Sequence, residues 1–141
     1  MNKKGRMFAD GGSRGNPGPA ASGAVVYELE DGELGEMVVE VGEYLGTATN
    51  NQAEYHAIVI GMQKALEYGF NVLDIRLDSE LAVKQINGVY KVKNEELAKK
   101  YLEIFHLRQK FRETTFSHVR REYNKVADAV VNKVLDRELG L

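Results

Sequence analysis

Polar and apolar residues alternate along the first third of the chain. In Leu34 to Tyr44, Met37, Val39 and Val41 occupy every second position, the period of a strand with one buried face. Ser22 to Glu30 carries Val25, Val26, Tyr27 and Leu29, and the Asp31-Gly32 pair between the two runs suits a tight hairpin. Arg6 to Ala9 is a short candidate strand ahead of them. Together these predict a meander of three antiparallel strands.

Helical spacing takes over at Asn51. The run to Tyr68 lacks proline, and Ala53, Ala57, Ile60, Lys64 and Ala65 fall near one another on a helix. Gly61 inside it costs about 1 kcal/mol relative to alanine, so its presence predicts close packing of the helix on a sheet. Gly69 suits the helix end. Val72 to Asp78 predicts a strand, and Ser79 caps a short helix from Glu80 to Asn87. Asn94 caps a longer helix from Glu95 to about Arg112, with Leu97, Tyr101, Ile104, Phe105 and Phe111 as its core stripe. Thr114 to Arg120 is a last strand. Lys125 to Leu139 is a last helix, with Ala127, Val130, Val131 and Val134 at i, i+3, i+4 and i+7. The order βββαβααβα implies an α/β fold, one mixed sheet with helices on its faces.

The length of 141 residues suits one ordinary domain, expected to span 1–141. A net charge of −2 excludes a bulk polycation, so any nucleic acid must be held by a local basic surface. The absence of cysteine excludes disulfides and thiolate metal sites, and fits an intracellular, cytoplasmic protein. The start from Met1 to Arg6 is basic with no long apolar run behind it. No signal peptide and no membrane span are therefore expected. No apolar seam suggests a dimer, so a monomer is expected.

Four acids change this picture. Asp10 ends an apolar stretch and runs into Gly11-Gly12-Ser13-Arg14-Gly15-Asn16-Pro17-Gly18. Glu54 opens a helical run after Thr49-Asn50-Asn51-Gln52. Asp78 closes the run Asp74-Ile75-Arg76-Leu77, and Asp128 follows Asn124 by four at the head of the last helix. Carboxylates at strand ends and helix starts can converge in an α/β fold, and converging carboxylates without a counterion repel each other and call for a metal. Each alone has an ordinary reading, as a turn former at Asp10, a first-turn helix acid at Glu54, part of a cap at Asp78 and a solvated helix-start acid at Asp128. The four together favour a metal site acting on phosphate. Nothing in the sequence supplies a nucleophilic side chain, so attack falls to water.

Five segments resemble type 1 ribonuclease H over nearly the whole chain. These are Phe8-Ala9-Asp10-Gly11-Gly12-Ser13 with Gly15-Asn16-Pro17-Gly18, Thr49-Asn50-Asn51-Gln52-Ala53-Glu54-Tyr55, Leu77-Asp78-Ser79, His118-Val119-Arg120-Arg121-Glu122-Tyr123-Asn124 with Ala127-Asp128, and the alternating strands from Ser22 to Tyr44. The resemblance implies a five-stranded mixed sheet in the order 3-2-1-4-5 flanked by helices. It implies endonucleolytic cutting of the RNA strand of an RNA/DNA hybrid, with 3′-hydroxyl and 5′-phosphate ends. The implied metal set is Asp10, Glu54, Asp78 and Asp128, holding two Mg²⁺ or Mn²⁺ ions. Implied substrate contacts are the backbone at Gly11, Gly12 and Ser13, the side chains of Asn16, Asn50, Asn51 and Glu80 in the minor groove, Thr49 on a DNA phosphate, and Asn124.

Two departures stand out. Asn87 to Glu95 is too short for the basic helix and loop with which the best-known bacterial members grip the hybrid. No histidine lies between Val119 and Asp128, where many members carry a mobile one, and Arg121 is the nearest residue for that role. The chain thus resembles the compact archaeal and some bacterial members, and double-stranded RNA or branched DNA stays open as substrate. His56, His106 and His118 read as structural, and Tyr44, Tyr55 and Tyr123 as packing. Lys91, Lys93, Lys99, Lys100, Arg108, Lys110 and Arg112 read equally as a solvated surface or a phosphate-binding face. Two other classes remain, an inactive binding module of the same fold and an actin-like nucleotide phosphotransferase; the four intact acids argue against the first and the single lobe against the second.

Overall fold

The computed structural model describes residues 2–141; Met1, part of the basic start, lies outside the described residues. The meander forms as expected from β1 (Lys4–Ser13), β2 (Gly18–Glu30) and β3 (Glu33–Ala48). Asp31 and Gly32 both take positive φ, 51° and 81°, as a two-residue hairpin turn twisted to match its strands requires. β4 (Val72–Leu77) lies parallel to β1, and β5 (Glu113–His118) parallel to β4. The sheet order is β3-β2-β1-β4-β5, the order implied by the resemblance.

Alternation along the strands divides the core between two faces. Met7, Ala9, Ala24, Val26, Leu73, Ile75 and Leu77 enter one large cluster with α1 (Asn50–Glu67), α2 (Glu80–Ile86) and α3 (Glu95–Arg108). Ala21, one position out of phase, joins Val131, Val134 and Leu135 of α4 (Lys125–Leu139), with Tyr44 packed alongside. The first face carries the larger cluster, with Val38 and Val41 partly buried at its edge. On the second, Phe8 and Tyr27 meet edge to face at 5.9 Å and stay half-buried.

Several boundaries differ from the sequence expectation. Gly11 to Ser13 is not loop but the end of β1, paired with Ala20 to Ser22; the true loop is shorter. α3 stops at Arg108 rather than Arg112, because a tight turn at Gln109–Lys110 brings Phe111 back into the core. Leu107, not Phe105, completes the buried stripe of α3. Phe105 is 48% exposed, since it lies one residue, about 100° of rotation, beyond the buried Ile104. β5 ends at His118 rather than Arg120. Tyr123 is 67% exposed and is not a packing residue. The basic run is no single face. Arg108 lies over the Phe116 ring and donates to Thr114, Arg112 reaches Asn2, and Lys100 reaches His56.

Gly61 explains itself. A Cβ at this position would lie 2.5 Å from Met7 Sδ and 2.8 Å from Ala24 Cβ, so the helix rests directly on β1 and β2. Gly61→Ala is expected to lower stability by about 1–3 kcal/mol despite alanine's better helix propensity. A urea midpoint shifted down at constant slope is the measurement; a midpoint at or above the parent's means that Met7 moves aside freely.

Candidate active site

Parallel pairing of β1 with β4 brings two acids to one end of the sheet. Asp10 follows Ala9, whose partner across the ladder is Leu77, and Asp78 follows Leu77. Glu54 is brought to them by a backbone contact. A Cβ on Gly11 would lie 2.2 Å from the Ala53 carbonyl carbon and 2.3 Å from the Glu54 nitrogen. Only glycine lets β1 run this close to α1. The Ser22 hydroxyl donates to the Ala53 carbonyl at 2.6 Å and fastens the same turn to β2.

Asp128 arrives through Asn124. The Asn124 amide donates from Nδ2 to the Ala9 carbonyl at 2.9 Å, and the Asn124 carbonyl accepts from the Asp128 N–H at 3.1 Å. The first turn of α4 is thereby hooked to the strand that carries Asp10. Asn124 is 1% exposed. The substrate contact expected of it is therefore corrected; its side chain braces the site from within.

Asp10, Glu54, Asp78 and Asp128 line one cleft of about 320 Å³, with Gly11 to Arg14 on one wall and Val131, Asn132 and Leu135 on another. Burial, then repulsion from Asp78, a hydrogen bond shared with Asp128 and repulsion from Asp128 and Glu54 push the Asp10 carboxyl up to about 8. Burial pushes Glu54 up to about 7, against the pull of the Ser79 hydroxyl and the Arg121 charge, with Asp78 adding to the rise. One Glu54 oxygen, Oε2, is buried without a hydrogen-bond partner. Among the described residues no three of the acids already meet around a single point. An unpaired buried carboxylate oxygen and mutually repelling acids are the donor set of a hard divalent cation, which keeps part of its water and needs only a few protein oxygens. No histidine lines the cleft, and the chain has no cysteine, so softer metals find nothing here.

The surrounding candidates divide. Gly11, Gly12, Ser13, Asn50 and Arg121 line the cleft. Asn16 and Asn50 hold the loop to α1: Ser13 N–H donates to Asn50 Oδ1 at 2.8 Å, and Asn50 N–H to Asn16 Oδ1 at 3.1 Å. Thr49 caps α1 in a reciprocal pair with Gln52. Asn51, in the first turn, and Glu80, paired with Lys84 at 2.7 Å, lie outside the cleft. Arg14 and Asn132 escaped the sequence reading as site residues, and Ser79, expected as a helix cap, also reaches Glu54. Asn132 follows Asp128 by one helical turn and donates to it at 3.3 Å, a spacing that was visible. Tyr55 is fully buried, its hydroxyl bonded to Gln85 at 2.5 Å. His56 sits between Glu43 and Lys100, at 3.0 and 2.9 Å.

Residues 8–134 match the family described as Reverse transcriptase-like. The chain belongs to that family, as a member of its type 1 ribonuclease H group. It is 40% identical over 134 residues to Ribonuclease HI of Halobacterium salinarum, covering 94% of this chain and 65% of that protein. The crystal structure of that archaeon's RNase H1 superposes with a TM-score of 0.87 at 38% identity, covering 95% of this chain and 98% of that one. LC11-RNase H1, solved in complex with an RNA/DNA hybrid, gives 0.87 at 36% identity, covering 96% and 99%. The Bifunctional protein Rv2228c of Mycobacterium tuberculosis is 39% identical over 91% of this chain and 34% of its own length. The chain thus spans about two thirds of the first of these curated relatives and one third of the other.

The raised carboxyls set a pH dependence. Asp10 loses its proton near 3.8 as an isolated group and near 8 in the fold. Between those values the folded state binds more protons than the unfolded one, so metal-free stability falls as pH rises. Asp10→Asn removes that fall. In EDTA, the melting temperature of Asp10→Asn relative to the parent should climb steadily from about pH 4 to about pH 8; a difference independent of pH refutes this origin.

Proposed function

We propose that this chain is an endoribonuclease that hydrolyses the RNA strand of RNA/DNA hybrids with divalent cations, leaving 3′-hydroxyl and 5′-phosphate ends. The observation that carries the reading is the cleft itself, lined by four carboxylates from distant parts of the chain together with Arg121. Support also comes from the likeness to a ribonuclease H solved with a hybrid bound.

Asp10, Glu54, Asp78 and Asp128 would hold two Mg²⁺ or Mn²⁺ ions. When bound, such ions activate water, neutralise the scissile phosphate and stabilise the leaving oxygen. The chain's own residues do the rest. Asp10 is shared by the whole acid set, since Asp78, Asp128 and Glu54 all act on its carboxyl. Arg121 steadies the phosphate through its guanidinium donors. The side-chain-free backbone at Gly11 and Gly12 lets an RNA strand approach closely, where 2′-hydroxyls distinguish RNA from DNA. Asn16, Asn50, Asn51, Thr49 and Glu80 are the further contacts we assign by position. We place the protein in the cytoplasm as a monomer. No described helix is long and apolar enough to cross a membrane.

The test is cleavage of end-labelled RNA paired with DNA, paired with RNA, or single-stranded, in Mg²⁺, Mn²⁺ or EDTA, beside Asp78→Asn. Metal-dependent cutting of the hybrid alone, abolished in the variant, is the expected result. Equal cutting of the RNA duplex would overturn the selectivity while keeping the chemistry, and no cutting by folded protein would favour a binding module. Arg121→Ala is expected to lower turnover about tenfold, the scale of one charged hydrogen bond, with cation binding retained by calorimetry. An unchanged steady-state rate removes Arg121 from the reaction.

A further inference from the structure

A second arginine lies at the far end of the same cleft. Arg14 leaves the end of β1, and its Nη2 donates to Asp136 Oδ1 at 2.6 Å. Both side chains are partly open to solvent, at 34% and 49%. An ion pair so exposed contributes little to stability, so fastening the loop to α4 is a weak reason for it. The loop is fastened already. Arg14 N–H donates to the Pro19 carbonyl at 2.8 Å, Ser13 N–H to Asn50, and Asn50 N–H to Asn16. The backbone at Arg14 is therefore fixed, and the bond to Asp136 fixes only where the guanidinium points. A guanidinium has five N–H donors, and among the described residues this one meets a single side-chain partner, Asp136.

Position supplies the purpose. Arg14 lines the cleft together with the acids. Asp136 lies eight residues beyond Asp128 on α4, about 12 Å at 1.5 Å per residue. That is roughly three to four nucleotide steps at about 3.4 Å of rise each. Cations held by the acids would neutralise only the phosphate at the cut, and the next phosphates of a strand crossing the cleft still need positive partners from the chain itself. Arg121 precedes α4, and Arg14 stands toward its other end.

We propose that Arg14, aimed by Asp136, is a substrate-binding residue that grips a backbone phosphate a few nucleotides from the cut; this rests on the nuclease reading above. A guanidinium forks onto phosphate oxygens through two parallel donors. Asp136, which lines the adjoining cavity that shares Asp128 and Asn132 with the cleft, holds the fork before the strand arrives, reducing the side-chain ordering that binding demands.

The experiment measures kcat/KM for hybrid cutting against salt concentration for the parent, Arg14→Ala, Arg14→Lys and Asp136→Asn. Hybrids carrying one neutral methylphosphonate at successive positions on either strand are run alongside. Arg14→Ala should lose about tenfold in kcat/KM, mostly through KM, and its salt slope should be shallower by about one. One methylphosphonate position should slow the parent but not Arg14→Ala. Arg14→Lys should keep the parent's slope with weaker binding, and Asp136→Asn should raise KM less than Arg14→Ala does. An unchanged slope with no such position overturns the proposal while hybrid cutting by the parent leaves the nuclease reading intact. A lowered melting temperature with the parent's slope also overturns it and makes the pair a fastener. A parent that neither binds nor cuts the hybrid removes both.

Discussion

One contact governs the active end of this molecule: β1 and α1 touch backbone to backbone at Gly11. The space a Cβ would need is already filled by Ala53 and Glu54. Because the helix starts against the strand, Asp10 and Glu54 face one cleft without either side chain reaching out. The other attachments build on it. Ser22 binds the same helical turn to β2, and Asn124 hooks α4 onto the carbonyl just before Asp10. Each acid is thus held by an element that is itself packed, which is the arrangement that keeps a site in register.

The same geometry sets the core against the site. Two layers of apolar side chains draw the helices onto the sheet, and in doing so crowd four like charges. Burial of the Asp10 and Glu54 carboxyls is the first cause of their raised pKa values, ahead of any neighbour. Hydrophobic packing therefore creates the electrostatic tension that a divalent cation would relieve. A protein built for stability alone would not leave a buried carboxylate oxygen without a partner.

Much of this was readable in the residues. The Asp31-Gly32 turn, the alternation of Met37, Val39 and Val41, and the caps at Ser79 and Asn94 are local signals, and each element they mark is present. The four acids were visible because they sit at element boundaries, where strand ends and helix starts meet. Less legible was anything decided by tertiary contact. Phe105 and Leu107 are both apolar on one helix, and only the position of α1 decides which is buried. Gly11 to Ser13 looked like a loop because glycine suits turns, yet the ladder with β2 extends through it. Asn124 carries a polar amide like any surface contact, and its bond to Ala9 spans 115 residues of sequence. Arg14 was hidden for the same reason, since its partner lies 122 residues away.

The four acids come from β1, α1, the residue just after β4, and α4, spread from position 10 to position 128. No local segment of the chain holds more than one of them. During synthesis the site cannot assemble until the last helix has left the ribosome and docked, because chains grow from the N-terminus and long-range contacts close late. A partly made or partly unfolded chain then has scattered, freely solvated carboxylates and no place for a cation to act. The cleft exists only once the fold is complete, so the site's assembly is as cooperative as folding itself.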